Sequence, residues 1–379
     1  MPARLGRPPR RGHGRADKST TCEKFRGSAP KPRFPPTNEA VGSTRAGSTA
    51  VELYNHTQLQ TELISGSPAN DEDLIIVQVV GKAIGQFDPA GHWTVHWDAD
   101  APILRSPLPT PWGDIPSDVG LRKQGCDVVA LGRAYSSNPH GAPSSAVQLA
   151  VGGDSRQLLV YGDRYWERRG EHLVPSSPEE FVAFDLTWNR SFGGRSIDDD
   201  GNDVVFPYNI DGCGYQVSES VAEGERLPNL EDPADPIRSY RDTPRPCNIA
   251  PVPISIPLAM MGRVDELTAP LLRREQLKLP PELGNIAHPN FQFSTLAPGQ
   301  RVMLAGMTPE RPLELALPKT RFLATATIGA REFAADLQLE TLLFLPEAGS
   351  CTLTWRTRFA YRFVPHELRH VRLDAYAVE

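Results

Sequence analysis

Residues 351–363 read CTLTWRTRFAYRF, and the choice of fold turns on them. In an extended chain Leu353, Trp355, Thr357 and Phe359 fall on one face, and Thr354, Arg356 and Arg358 on the other. Successive side chains of a strand point to opposite faces, so a period of two marks a strand buried on one side. The same texture recurs in RVMLAGM, PLELALP, RFLATATIG and LETLLFLP before it. Further back, DLIIVQVVGKAIGQFDPAGHWTVHW reads as two strands around the turn Asp88-Pro89-Ala90-Gly91. DVVALGRAYS, AVQLAVGG and RQLLVYGDRYWERRG add more, with Gly-Gly or Gly-Asp between or inside them. Short strands separated by Gly/Pro turns signal a sandwich or barrel. The expected fold is all-β, mainly antiparallel, sandwich- or barrel-like, with little helix. The best helical stretch is RVDELTAPLLRREQLKLPPEL (263–283), which Pro270 interrupts.

Composition agrees. Of 379 residues 37 are proline, about twice ordinary usage. Proline fixes φ and removes a backbone donor, which disfavours long helices. Residues 1–45 hold 11 Lys/Arg against 3 Asp/Glu, although the whole chain carries −6. A basic head on an acidic body suits nucleic acid or an anionic surface. This one lacks aromatic interleaving and apolar anchors, so it reads as a disordered extension with no nucleic-acid partner; a misplaced start codon would also produce it. No apolar core follows the basic start, as a secretory signal requires. The longest apolar run, LIIVQVV (74–80), is far short of the roughly 20 residues of a spanning helix, so no membrane insertion is expected. Five cysteines, odd in number and never spaced C-x-x-C, argue against a zinc ribbon or disulfide scaffold. A cytoplasmic protein with reduced thiols is the expectation.

Candidate chemistry is sparse. His92 and His96 would share a face on a helix, but Trp93, Thr94, Val95 and Trp97 are strand formers. On a strand the two rings lie about 13 Å apart and cannot share an ion. DDDGND (198–203) suggests a calcium loop, yet aligning Gly201 with the loop glycine puts Ser196 at the first ligand position and Pro207 at the last. A solvated acidic loop fits better. G-x-S-x-G, H-E-x-x-H, P-loop and G-x-G-x-x-G motifs are absent. No catalytic, metal or cofactor site is expected. The most unusual segment is LPNLEDP (227–233), where Leu227 and Leu230 can anchor in a core and the prolines restrict the chain. Asn229, Glu231 and Asp232 can bond backbone donors that irregular chain leaves unpaired. Asp163, Arg164 and Arg190 complete the candidate set, because buried arginine needs carboxylates.

Several strings, in order, carry a resemblance: Lys82-Ala83, QGCDVVALGRAY (124–135), LLVYGDRYWE (158–167), LTWNRSFGG (186–194), YNIDGCGY (208–215), RLPNLEDPADPI (226–237), APVPISI (250–256), APGQR (297–301) and LTWR (353–356). Together they resemble the bacterial family catalogued as domain of unknown function 2169, over roughly residues 70–360. The resemblance implies an adaptor or chaperone, not an enzyme, that helps load an effector or PAAR-tipped protein onto the type VI secretion spike. Its partners would then be a type VI effector and a PAAR or spike protein. The expected organisation is a disordered extension (1–48), a β-rich N-terminal part (49–262), a partly helical connector (263–285) and a β-rich C-terminal part (286–379). Two other readings stand beside it. A hydrolase-like enzyme would gather the acids of 198–242 on a pocket; a carbohydrate- or envelope-binding module would expose Trp93, Trp97, Trp112 or Trp166 as a platform.

Overall fold

The strand read from CTLTWRTRFAYRF lies inside a seven-stranded sheet, in a computed structural model that describes residues 51–67, 71–97, 99–120, 123–253 and 284–378. Four strands form the middle of that sheet: β1 (Leu74–Phe87), β2 (Cys126–Ala130), β3 (Gln338–Leu345) and β4 (Ser350–Arg362). Their spatial order is β2-β3-β4-β1, with the short strand Gln292–Phe293 outside β2, Gln60–Gly66 outside β1, and Trp93–His96 also paired to β1. β4 runs antiparallel to β1 along its whole length, whereas β2 and β3 are parallel. Strands from before and after the 263–285 connector therefore interleave in one sheet. The helical passage expected at 263–283 and the extension at 1–48 lie outside the described residues.

Two further sheets share the core of this one. The five-stranded sheet has the order Leu230–Glu231, Asp154–Tyr161, Ser144–Val151, Arg301–Ala305, Leu313–Ala316. The four-stranded sheet has the order Glu52–Asn55, Arg369–Ala377, Thr320–Ile328, Arg331–Asp336. Phe322 of the latter meets Trp355 of β4 edge-on at 5.2 Å, as aromatic quadrupoles favour. The fold is all-β with open, mixed but mainly antiparallel sheets, and none of those described closes into a barrel. Among the described residues one four-residue α-helix, Glu219–Ala222, and a few 3₁₀ turns complete it.

One face of β4 is apolar as the alternation requires: Leu353, Trp355, Phe359 and Tyr361 join the main core. The other face holds a surprise. Thr354 and Arg356, which the pattern leaves for solvent, are 3% and 4% exposed. The chain at residues 101–120, loops around a short hairpin of Leu108–Thr110 and Gly113–Ile115, lies over them: Thr354 donates to Asp118 Oδ1 at 2.9 Å, and Arg356 to the carbonyls of Asp118 and Gly120.

A second, smaller core consists of Trp166, Leu173, Phe192, Phe206, Ala222, Leu227 and Ile237. It gathers the chain between the hairpin Trp166–Arg169/His172–Pro175 and the segment ending near Tyr240.

Candidate functional site

The strap LPNLEDP joins the two cores. Leu227 is fully buried in the smaller one, and Leu230, three residues on, is 1% exposed in the main one. Between them the backbone borrows partners from two segments. Leu227 N donates to Arg164 O, Asn229 N to Arg190 O, and Tyr161 N to Asn229 O, all within 2.8–2.9 Å. Leu230 and Glu231 then close the edge of the five-stranded sheet against Val160 and Leu159. Each irregular stretch thus satisfies donors and acceptors that another leaves open. Glycine is required where these strings touch. A Cβ on Gly214 (φ +91) would sit 2.4 Å from Pro228 Cδ, and one on Gly193 (φ +147) 2.1 Å from Asn209 O. So GDR, SFGG, DGCGY and LPNLEDP, scattered in sequence, pack against one another.

Their charged side chains interlock. Arg164, 7% exposed, forms an ion pair with Glu231, 3% exposed, and donates to Pro228 O at 2.9 Å. Its guanidinium lies 3.9 Å from the Tyr161 ring centre. Glu231 Oε2 also accepts from Ile237 N at 3.2 Å. Asp163 Oδ1 accepts from Arg226 at 2.5 Å and from Asn229 Nδ2 at 3.0 Å. Asn229 is fully buried and uses both ends of its amide: Nδ2 also donates to Tyr161 O, and Oδ1 accepts from Arg226 at 2.9 Å and Arg190 at 3.4 Å.

Five of the six residues expected from sequence meet here. Asp232 does not. It caps Ala234 N at 2.9 Å and accepts from Asn290 Nδ2 at 2.5 Å, tying the strap to the turn that follows residue 288. Arg190 departs from expectation too: among the described residues it forms no ion pair, and its guanidinium carbon lies over the Phe184 ring, 4.1 Å from its centre. Burial lowers its pKa, and the neighbouring Arg226 adds to the effect. Arg226, one residue before the quoted heptapeptide, was not singled out although it bonds both Asp163 and Asn229.

A second polar group lies on the buried polar face of the large sheet. Across neighbouring strands Gln60, Lys82, Thr354, Thr341, Asp127 and Gln292 stand in register, one polar row crossing the sheet. Lys82 reaches Asp118 at 2.6 Å and Lys123 reaches Asp127 at 2.7 Å, both pairs buried. Burial pushes the Lys123 ammonium down, and Asp127 opposes it. Glu340 occupies a bulge between Leu339 and Thr341, where the extra residue re-aims its side chain onto Arg356. An open cleft of about 980 Å³ borders this group, lined by Lys123, Ser294, Gln338, Glu340, Arg356 and Arg358 among others. Lys82 and the LTWR string pointed here, but their convergence on Asp118 has no local sequence signal.

The remaining candidates occupy ordinary places. Trp93–His96 is a strand with His92 and His96 both exposed. Asp198 closes the hairpin of Arg195–Ile197 and Asp203–Val205, accepting from the amides of Asp200 and Asn202; those bonds lower its pKa. Among the described residues, no group of three or more His, Cys, Asp or Glu is placed to hold a metal ion. Trp166 is buried in the smaller core, and Trp93, Trp97 and Trp112 pack partly against the main one. Cys126, Cys247 and Cys351 are buried free thiols whose pKa values burial raises. No described helix is long and apolar enough to cross a membrane.

Fold and site together define an all-β protein whose buried charges are largely occupied with one another. The model of a family described as uncharacterized protein conserved in bacteria, DUF2169, matches residues 76–356, most of the chain, and the protein belongs to that family. Among curated proteins and solved structures none matches it.

Proposed function

We propose that the protein is a cytoplasmic adaptor that binds an effector or a PAAR-tipped protein and helps load it onto a type VI secretion spike, without catalysing a reaction. The observation that carries this reading is how the acids of the 198–242 region are used. Asp198 folds a turn, Glu231 neutralises Arg164, and Asp232 caps a backbone amide. A hydrolase needs a carboxylate held near a substrate with its proton affinity tuned, and these are committed to architecture. The tryptophans support the reading against a carbohydrate platform, since Trp166 is buried and Trp93, Trp97 and Trp112 pack partly against the main core. The resemblance in the ordered strings, four of which meet at the strap, supplies the type VI assignment.

Affinity purification of the full chain from a strain carrying its own gene neighbourhood tests this reading. A spike, PAAR-linked or effector protein should co-purify in stoichiometric amount. Recovery of none of these, from cells in which they are expressed, would contradict it.

A further inference from the structure

Among the described residues, the strap joint holds one guanidinium with no direct carboxylate partner. Three guanidiniums, those of Arg164, Arg190 and Arg226, gather there with two carboxylates, Asp163 and Glu231. Glu231 is committed to Arg164 and Asp163 to Arg226. Asp185 lies 3.5 Å from Arg133, which Glu347 also approaches at 3.6 Å, and accepts from Trp112. Arg190 forms no direct ion pair among the described residues, although the fields of Asp163 and Asp185 reach it. Arg190 and Arg226 both donate to the one oxygen Asn229 Oδ1, so the two groups are held side by side. Arg190 rests over the Phe184 ring, and Asp163 holds the second. Arg226 Nε is buried without a hydrogen-bond partner, a donor still to be satisfied. The place is open to solvent: the Arg226 and Asp163 side chains are 37% and 32% exposed.

We infer that Arg190 and Arg226 form an oxyanion-binding site that takes a carboxylate of a protein partner. Two guanidiniums at fixed spacing match the two oxygens of a carboxylate, and each charge-assisted bond is worth more than a neutral one. Tyr165, backbone-paired with Arg226 and 39% exposed, offers a polypeptide an aromatic contact beside the charge. An anion here would give the half-buried Arg190 a direct ion pair. The site does not depend on the adaptor reading; only the polypeptide source of the carboxylate does. Free phosphate shares the chemistry and is the alternative source.

The test is a titration of the full chain, followed through the Nε–H resonances of its arginines, with two probes at matched ionic strength: an acetylated tetraglutamate peptide and inorganic phosphate. Saturable shifts at Arg190 and Arg226 are expected with both, the peptide binding tighter. Arg190→Met should weaken binding roughly tenfold or more, the equivalent of one charged hydrogen bond. Asp163→Asn, which removes the competing carboxylate, should tighten it and provides a second reading if Arg190→Met folds poorly. Phosphate binding without peptide binding would overturn the polypeptide source. No saturable shift with either probe, or equal affinity in wild type and Arg190→Met, would overturn the site.

Discussion

Arg164 and Glu231 face each other with almost no water around them, 7% and 3% exposed. Removing one member of such a pair strands the other, which typically costs about 3–5 kcal/mol. Glu231→Gln should therefore lower the denaturant midpoint strongly. The double change Arg164→Met with Glu231→Met should recover much of that loss, because well-packed apolar replacements often match a buried pair. Asp232→Ala should cost less, about 1–3 kcal/mol, as it strands only neutral donors, Ala234 N and Asn290 Nδ2. Urea midpoints of the three variants rank these predictions, and a Glu231→Gln midpoint equal to wild type would deny the pair its structural role. A second residue sets a pH dependence. His288 is buried beside Cys247 and accepts from Asn290 N, and burial pushes its pKa from 6.5 down to about 4. The unfolded chain binds a proton near pH 6.5 that the folded chain refuses. Stability is therefore full above that pH and falls as pH drops towards about 4, by up to about 3 kcal/mol from this group. Midpoints measured from pH 7.5 to 4 should show that decline, and His288→Gln should remove its contribution.

At the scale of elements, the strands were legible and their surroundings were not. Hydrophobic alternation identified β4 and its neighbours because one face of each must be apolar wherever it meets a core. The same alternation marked Thr354 and Arg356 as solvent-facing, and here it failed. Their cover comes from proline-rich loops around a short hairpin, with no period to read, and Asp118 lies 236 residues away from Thr354. The strap was legible as a whole, since its two leucines, its prolines and its polar side chains each imply anchorage. Which partner each charge takes was not, because pairing depends on approach in space: Arg226 was passed over and Asp232 went to Asn290. The polar row crossing the large sheet makes its own prediction. Lys82→Met should destabilise by several kcal/mol through the stranded Asp118 carboxylate, and adding Asp118→Leu should restore part of it. Thermal midpoints of the single and double variants report this. Equal destabilisation in both would mean that Lys82 acts through packing alone.

At the scale of the whole molecule, two cores are tied by one strap, and the charges inside the fold are occupied almost entirely with one another. Leu230→Ala, by opening a cavity in the main core, should cost about 2–5 kcal/mol, and Leu227→Ala should do the same in the smaller one. If the strap couples the two, both variants should still unfold in a single transition by tryptophan fluorescence and circular dichroism; separated transitions would show the smaller core to be independent. The basic head contributes few apolar anchors of the kind that dominate protein interfaces, so a chain lacking residues 1–45 should still co-purify with its partner. The most direct test of the adaptor reading is the secretion profile of a strain lacking this gene. Loss of one effector from the medium, with the spike and other effectors still released and the loss reversed by the intact gene, is the predicted result. Unchanged delivery of every effector, or loss of all of them together, would contradict it.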